Sequence, residues 1–305
     1  MTPAPDIRRR DWAMVATLGF IWGANFLVTE LALRGVSPSW LAASRISVAA
    51  LVMMVVWSLR GRVLWRATPR HADWALLAFV GLTATTLPFT LIAWGQQHVT
   101  AGFAGVSMAS VALIVLPLAH ILVPGEFMTW RKTLGMIIGF CGVILLIGVR
   151  AFETTDATLE PFGRLACLGG AFCYAVSSIG MRRMGPIDPI GLASVMMIIG
   201  AMTAVPLAAF AEGAPHYADA QTVWVVIFLG LVPTAGALLL QIDVVRNAGP
   251  VFMSLVNYQV PVWAVALGAW LLSEPLPPSL MIALAFILSG VALSQWGALK
   301  RLFST

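Results

Sequence analysis

The sequence predicts an all-α integral membrane protein: ten transmembrane helices arranged as two inverted-topology repeats of five, with both termini in the cytoplasm. Three observations predict it: a sequence too apolar for a soluble domain, basic residues confined to alternate connections, and a second half that echoes the first. Of its 305 residues, 60% are hydrophobic and only 10% are charged, with a mean hydropathy of +0.91. Soluble domains carry roughly a quarter charged residues. No single core can bury this much apolar surface, so lipid is the expected solvent.

A helix crosses the hydrocarbon core in about 20 residues. Ten runs are long and apolar enough: 12–33, 39–59, 73–95, 101–122, 130–149, 162–181, 189–210, 222–244, 250–272 and 279–298. They lack the strict alternation of barrel strands. Their connections are short, so residues 1–305 form one membrane domain. Arg8, Arg9 and Arg10 precede an apolar run too long for a cleavable signal, which makes that run the first span. With the N-terminus inside, 14 of the 18 Lys and Arg residues fall on the cytoplasmic side. Only Arg34, Arg150 and Arg164 face out, and Arg45 lies within span 2. That asymmetry orients the chain.

The internal repeat has three ordered matches. Gly81–Thr85 (GLTAT) echoes Gly230–Thr234 (GLVPT). The segment Gly125–Leu145 echoes Ser273–Leu293, aligning Glu126 with Glu274 and Gly142-Val143 with Gly290-Val291. Trp22–Asn25 (WGAN) aligns with Tyr174–Ser177 (YAVS). Repeat one is therefore 12–150 and repeat two 162–298. Five is odd, so the second copy crosses in the opposite sense, a recurrent architecture of secondary transporters.

These residues carry a resemblance. WGANF in span 1, Ser37–Arg45 (SPSWLAASR), and Pro261 thirteen residues before Glu274 resemble the ten-span EamA branch of the drug/metabolite transporter superfamily, and within it the YddG-type amino acid exporters. The resemblance covers about residues 12–298. Pro117 departs from the pattern, lying only nine residues before Glu126. Such relatives imply a central cavity walled by six spans and supported by four.

Polar side chains inside spans usually face the bundle interior, and helical spacing shows which of them share a face. Ser254, Asn257, Tyr258 and Pro261 form one stripe on span 9, with Gln259 and Trp263 on another face. Span 3 carries Thr83, Thr86, Thr90, Trp94 and Gln97; span 1 carries Trp22, Asn25 and Thr29; span 6 carries Tyr174, Ser177 and Ser178. Ser107 and Ser110 lie on span 4, Thr234 and Gln241 on span 8. Spans 1, 3, 4, 6, 8 and 9 thus form a polar set symmetric under the repeat. The expected substrate-binding residues are Trp22, Asn25, Thr86, Trp94, Ser107, Tyr174, Ser177, Asn257 and Tyr258. Asn257 and Tyr258 are expected about 15 Å deep, near the midplane. Interhelical hydrogen bonding is the alternative role for this pair, and core packing for Trp22, Trp94 and Tyr174.

Glu126 and Glu274 are expected to cap helix N-termini. Arg45 is expected to snorkel outward or pair with Glu30, with a direct role toward the substrate as the lesser alternative. Gly19/Gly23 and Gly135/Gly139 read as close helix contacts. Cys141, Cys167 and Cys173 have no metal-ligand spacing. No nucleophile–base set appears, so an enzyme is not expected. No Walker motif appears, which argues against ATP-driven pumping. The basic residues are too dispersed for nucleic acid. Expected partners are a small-molecule substrate and the lipid bilayer, with no metal or cofactor. Small multidrug carriers of the same superfamily use a first-span glutamate where Asn25 stands, so permanently cationic drugs are disfavoured. Neutral or zwitterionic solutes fit, and the resemblance implies amino-acid export from a bacterial inner membrane. Nucleoside or drug export is the alternative, a scaffold or enzyme the non-transport one.

Overall fold

The computed structural model describes residues 8–123, 127–147 and 159–296. Among these, every regular element is helical and ten helices run in order: α1 (Arg9–Leu33), α2 (Pro38–Leu59), α3 (His71–Gly95), α4 (Ala101–Leu122), α5 (Trp130–Ile147), α6 (Glu160–Arg183), α7 (Pro189–Glu212), α8 (Ala220–Met253, in three consecutive pieces), α9 (Val256–Leu271) and α10 (Pro278–Ser294). Seven of them, α1–α4 and α6–α8, are long and apolar enough to cross a membrane. The chain is a multi-pass membrane protein. α9 and α10 are shorter, at 16 and 17 residues, about 24–26 Å of helix. Glu126, Arg150, Glu153, Asp156, Lys300 and Arg301 lie outside the described residues.

Apolar side chains cover the outside as well as the core. Phe210 is 92% exposed, Leu59 83% and Trp270 78%, a surface that water would not tolerate in this extent. Inside, helices pack as symmetric pairs: α5 with α10, α2 with α7, α4 with α9. The other main contacts also interchange when each helix is replaced by its counterpart five places along. α1 lies on α9 as α6 lies on α4, and α3 lies on α6 as α1 lies on α8.

Small residues permit these approaches. A Cβ on Gly135 would sit 2.5 Å from the Gly290 carbonyl of α10, and one on Gly23 would sit 2.3 Å from the Trp263 Cβ of α9. Gln259 packs over Gly19. It therefore faces α1, as its separate helix face predicts.

Two helices change winding at matching places. α3 is π-helical over Leu82–Thr86 and α8 over Gly230–Gly236, overlapping the two motifs that echo each other in the sequence. The cause is proline, which has no amide hydrogen to continue the α-helical ladder. Pro88 follows the first π segment, and Pro233 lies within the second. Such segments are frequent at functional sites.

One boundary differs from the sequence expectation. α8 continues to Met253, a turn follows at Ser254–Leu255, and α9 begins only at Val256. Tight bonds of the i→i+3 type make the turn, from Leu255 N to Phe252 O (3.1 Å) and from Asn257 N to Ser254 O (3.1 Å). Asn257 and Tyr258 therefore lie in the first turn of α9, within about 5 Å of its start. The expected depth of about 15 Å assumed a place about ten residues into one helix, whereas the apolar run 250–272 is divided between two helices.

Candidate functional site

The polar side chains converge on Arg45 of α2. Pro38 opens this helix in its first turn, and seven residues on, Arg45 is 6% exposed. Ala42 and Ala49, on the same face at i−3 and i+4, are buried, leaving space along that face. Arg45 Nη2 donates to Asn25 Oδ1 of α1 at 2.8 Å and to Thr234 Oγ1 of α8 at 3.0 Å. The guanidinium carbon lies 4.6 Å from the centre of the Phe89 ring of α3, a cation–π distance. Phe89 in turn meets Tyr174 of α6 edge-on, with centroids 6.5 Å apart.

The π segment of α8 shapes this place. Pro233 has no amide hydrogen to give the Leu229 carbonyl, and the Thr234 hydroxyl supplies the donor at 2.7 Å. The same oxygen accepts from Arg45. The Pro233 carbonyl accepts from Trp22 Nε1 at 3.1 Å. A proline thus exposes backbone polarity, and side chains from α1 and α2 meet it.

Of the nine predicted site residues, Trp22, Asn25 and Tyr174 come together here. The other six are elsewhere. Thr86 is buried against α7, sharing a 2.6 Å hydrogen bond with Thr203. Ser107 and Ser177 are buried and bond back to their own helices, at Phe103 O and Tyr174 O (both 2.9 Å). Trp94 stacks edge-on with His98, at 4.8 Å. Asn257 is exposed, while the Tyr258 hydroxyl is buried without a hydrogen-bond partner among the described residues. Ser254 bonds Gln295, the C-cap of α10, at 2.9 Å.

Arg45 corrects one expectation. It turns inward to Asn25 and Thr234 rather than snorkelling or pairing with Glu30. It thereby brings a cation to Asn25 of α1, because the long side chain carries its charge far from its own Cα. The buried alanines flanking it were the available signal: a lipid-facing stretch has no need of small residues.

Toward the C-terminal end of α1, a cavity of about 590 Å³ is lined by Glu30, Arg34, Gln96, His98, Arg164 and Glu274, among others. Gln96 at its edge is buried and donates to Phe26 O at 2.9 Å, next to Asn25 in sequence. The Glu274 carboxylate caps the first amides of α4, accepting from Ala101 N at 2.7 Å and Gly102 N at 3.0 Å. It is a cap, as expected, but for a helix in the other half of the chain. At the opposite end a smaller cavity of about 260 Å³ is lined by Arg60, Arg66, Asp188 and Arg246. Asp188 caps α7 and pairs with Arg66 at 2.7 Å. Among the described residues no cluster of His, Cys, Asp or Glu can hold a metal.

A helical membrane bundle with paired π-helical breaks and a buried polar centre has the character of a solute carrier. The chain belongs to the EamA-like transporter family, whose model matches twice, over residues 12–148 and 161–296. The family is one of transporters, not enzymes. The chain is 28% identical over 296 residues to a probable terminal-alkyne amino-acid exporter of Streptantibioticus cattleyicolor, covering 95% of this chain and 94% of that protein. It is 24% identical over 308 residues to a probable amino-acid metabolite efflux pump of Salmonella typhimurium, covering 95% and 96%. A crystal structure superposes with a TM-score of 0.65 at 20% identity, over 97% of this chain and all of that one, a likeness of fold.

Proposed function

We propose that the protein exports amino acids or closely related small metabolites by alternating access, as ten spans in two inverted repeats (12–150 and 162–298). The observation that carries this reading is the convergence of Trp22, Asn25, Arg45 and Thr234 at the break in α8, inside a bundle whose core is mainly apolar. The interchangeable helix contacts support the repeat. In an inverted repeat, two packings related by the symmetry give two openings, one to each side. The distribution of Lys and Arg supports cytoplasmic termini, and the bacterial sources of the two relatives support a bacterial inner membrane as the home. The names of the two relatives support amino acids as the cargo.

The test is flux in proteoliposomes with a panel of labelled amino acids, against empty liposomes. Accumulation or release of at least one amino acid above the empty control is the expected result. Absence of flux for every amino acid removes this reading. Extending the same panel to nucleosides and drugs then tests the other cargo classes.

A further inference from the structure

We propose that Arg45 is the anchor for the carboxylate of the transported solute, a deepening that rests on the transport reading above. A charged side chain within a membrane span is costly and needs a partner. Arg45 is 6% exposed, and its two recorded hydrogen bonds go to neutral acceptors, Asn25 and Thr234. Neither balances a positive charge. Both bonds leave from Nη2. Of the five guanidinium donors, the Nε–H is buried without an acceptor among the described residues, and the two on Nη1 likewise make no hydrogen bond to a described residue. No acidic side chain among the described residues pairs with it. The site is thus a rigidly held fork with three unused donors and an uncompensated charge.

The repeat isolates this residue. Counting seven residues from the proline that opens each helix, Pro38 leads to Arg45 and Pro189 leads to Met196. The register is set independently by two glycines: Gly230 of α8 abuts Val48, three residues after Arg45, and Gly81 of α3 abuts Ile199, three residues after Met196. Met196 is buried. The fold therefore accepts an uncharged side chain at the symmetric position, so helix packing does not require the charge on α2.

The planar fork of a guanidinium matches a carboxylate in bidentate fashion. No second basic side chain among the described residues shares the cluster, which favours a monoanion over a phosphate. A solute carboxylate entering here supplies the missing counter-charge and uses the free donors. Phe89 holds the guanidinium plane from one face.

The experiment is a thermal-shift titration of the purified protein. The probes are the standard amino acids, the carboxamide and the decarboxylated amine of each one that stabilises, and short aliphatic monocarboxylates. In the wild type, an acid should stabilise at a concentration at least tenfold below that of its amide or amine, as expected for the loss of a hydrogen bond to a charged group. Arg45→Gln, which keeps a donor for Asn25, should erase that preference. Its solute-free melting temperature should match or exceed the wild type, because an uncompensated buried charge has been removed. Arg45→Lys should retain part of the preference.

Equal response of the wild type to acids and amides overturns the assignment, as does the absence of stabilisation by any carboxylate. That arm needs no variant, so misfolding of Arg45→Gln cannot shield the proposal. A marked fall in the solute-free melting temperature with carboxylate preference intact also overturns it, in favour of a structural role. The two readings separate cleanly. Monocarboxylates that depend on Arg45 without any amino-acid flux retain the anchor and remove amino-acid export; amino-acid flux with amides carried equally well does the reverse.

Discussion

Glu274 offers a direct test of how the two halves are held together. Its carboxylate accepts from Ala101 N and Gly102 N, the first two amides of α4, while Thr100 serves Phe103 N. Glu274→Ala removes both acceptors and the charge near the positive end of the α4 dipole. Hydrogen bonds to charged groups contribute about 1.5–3 kcal/mol each. Glu274 is only half-buried, so the lower figure applies, and the pair sums to about 3 kcal/mol. Glu274→Gln keeps one oxygen acceptor without the charge and should cost about half as much. At roughly 2–4 °C per kcal/mol for a large domain, the alanine variant should melt about 6–12 °C lower and the glutamine variant in between. The assay is thermal unfolding of the detergent-solubilised protein, followed by intrinsic fluorescence. An alanine variant that melts with the wild type would falsify the cap as a stabilising contact. Equal losses for Gln and Ala would assign the effect to charge alone.

Tyr258→Phe removes a buried hydroxyl without a partner among the described residues, so the melting temperature should hold or rise. If that hydroxyl serves a solute, flux falls at the same time, and Asn257→Ala should behave alike while Gln259→Ala, facing α1, leaves flux largely intact; unchanged flux in the first two removes them from the transport path. Gly23→Ala should destabilise by about 1–3 kcal/mol through overpacking, because its Cβ would lie 2.3 Å from the Trp263 Cβ and 3.0 Å from the Val260 carbonyl; reduced yield and melting temperature check this. Burial raises the pKa of Asp188, but hydrogen bonds from Arg66 and from the Gly191 and Ile190 amides outweigh it and leave the carboxyl below its ordinary value. Its charge therefore stabilises the fold above the unfolded pKa of about 3.9 and ceases to do so as pH falls through the lower native value. Asp188→Asn should melt below the wild type at pH 7, with the gap closing under about pH 4; a gap constant with pH refutes this. Since no Asp or Glu stands at the middle of any predicted span, flux down a solute gradient should persist when a protonophore collapses the pH gradient, and its loss would count against a mechanism free of buried carboxylates.

The sequence by itself determined what depends on local composition and order. Runs of about 20 apolar residues account for the ten helices. The echo of GLTAT in GLVPT marks the two π-helical breaks, since glycine and proline act on the backbone where they stand. The helix faces of Gln259 and of Gly19 and Gly23 followed from period alone, because α9 packs along α1 over several turns. Tertiary structure decided what depends on chain meeting distant chain. Arg45 and Thr234 are 189 residues apart, and nothing within span 2 tells a guanidinium to turn inward. The place of Asn257 and Tyr258 along α9 hung on where one apolar run divides between α8 and α9. Hydropathy is blind to that division, because the run is apolar on both sides of it. Glu274 was readable as a cap, but the helix it caps is not its neighbour in sequence: a carboxylate binds whichever free amides the fold brings to it, and here packing brings those of α4.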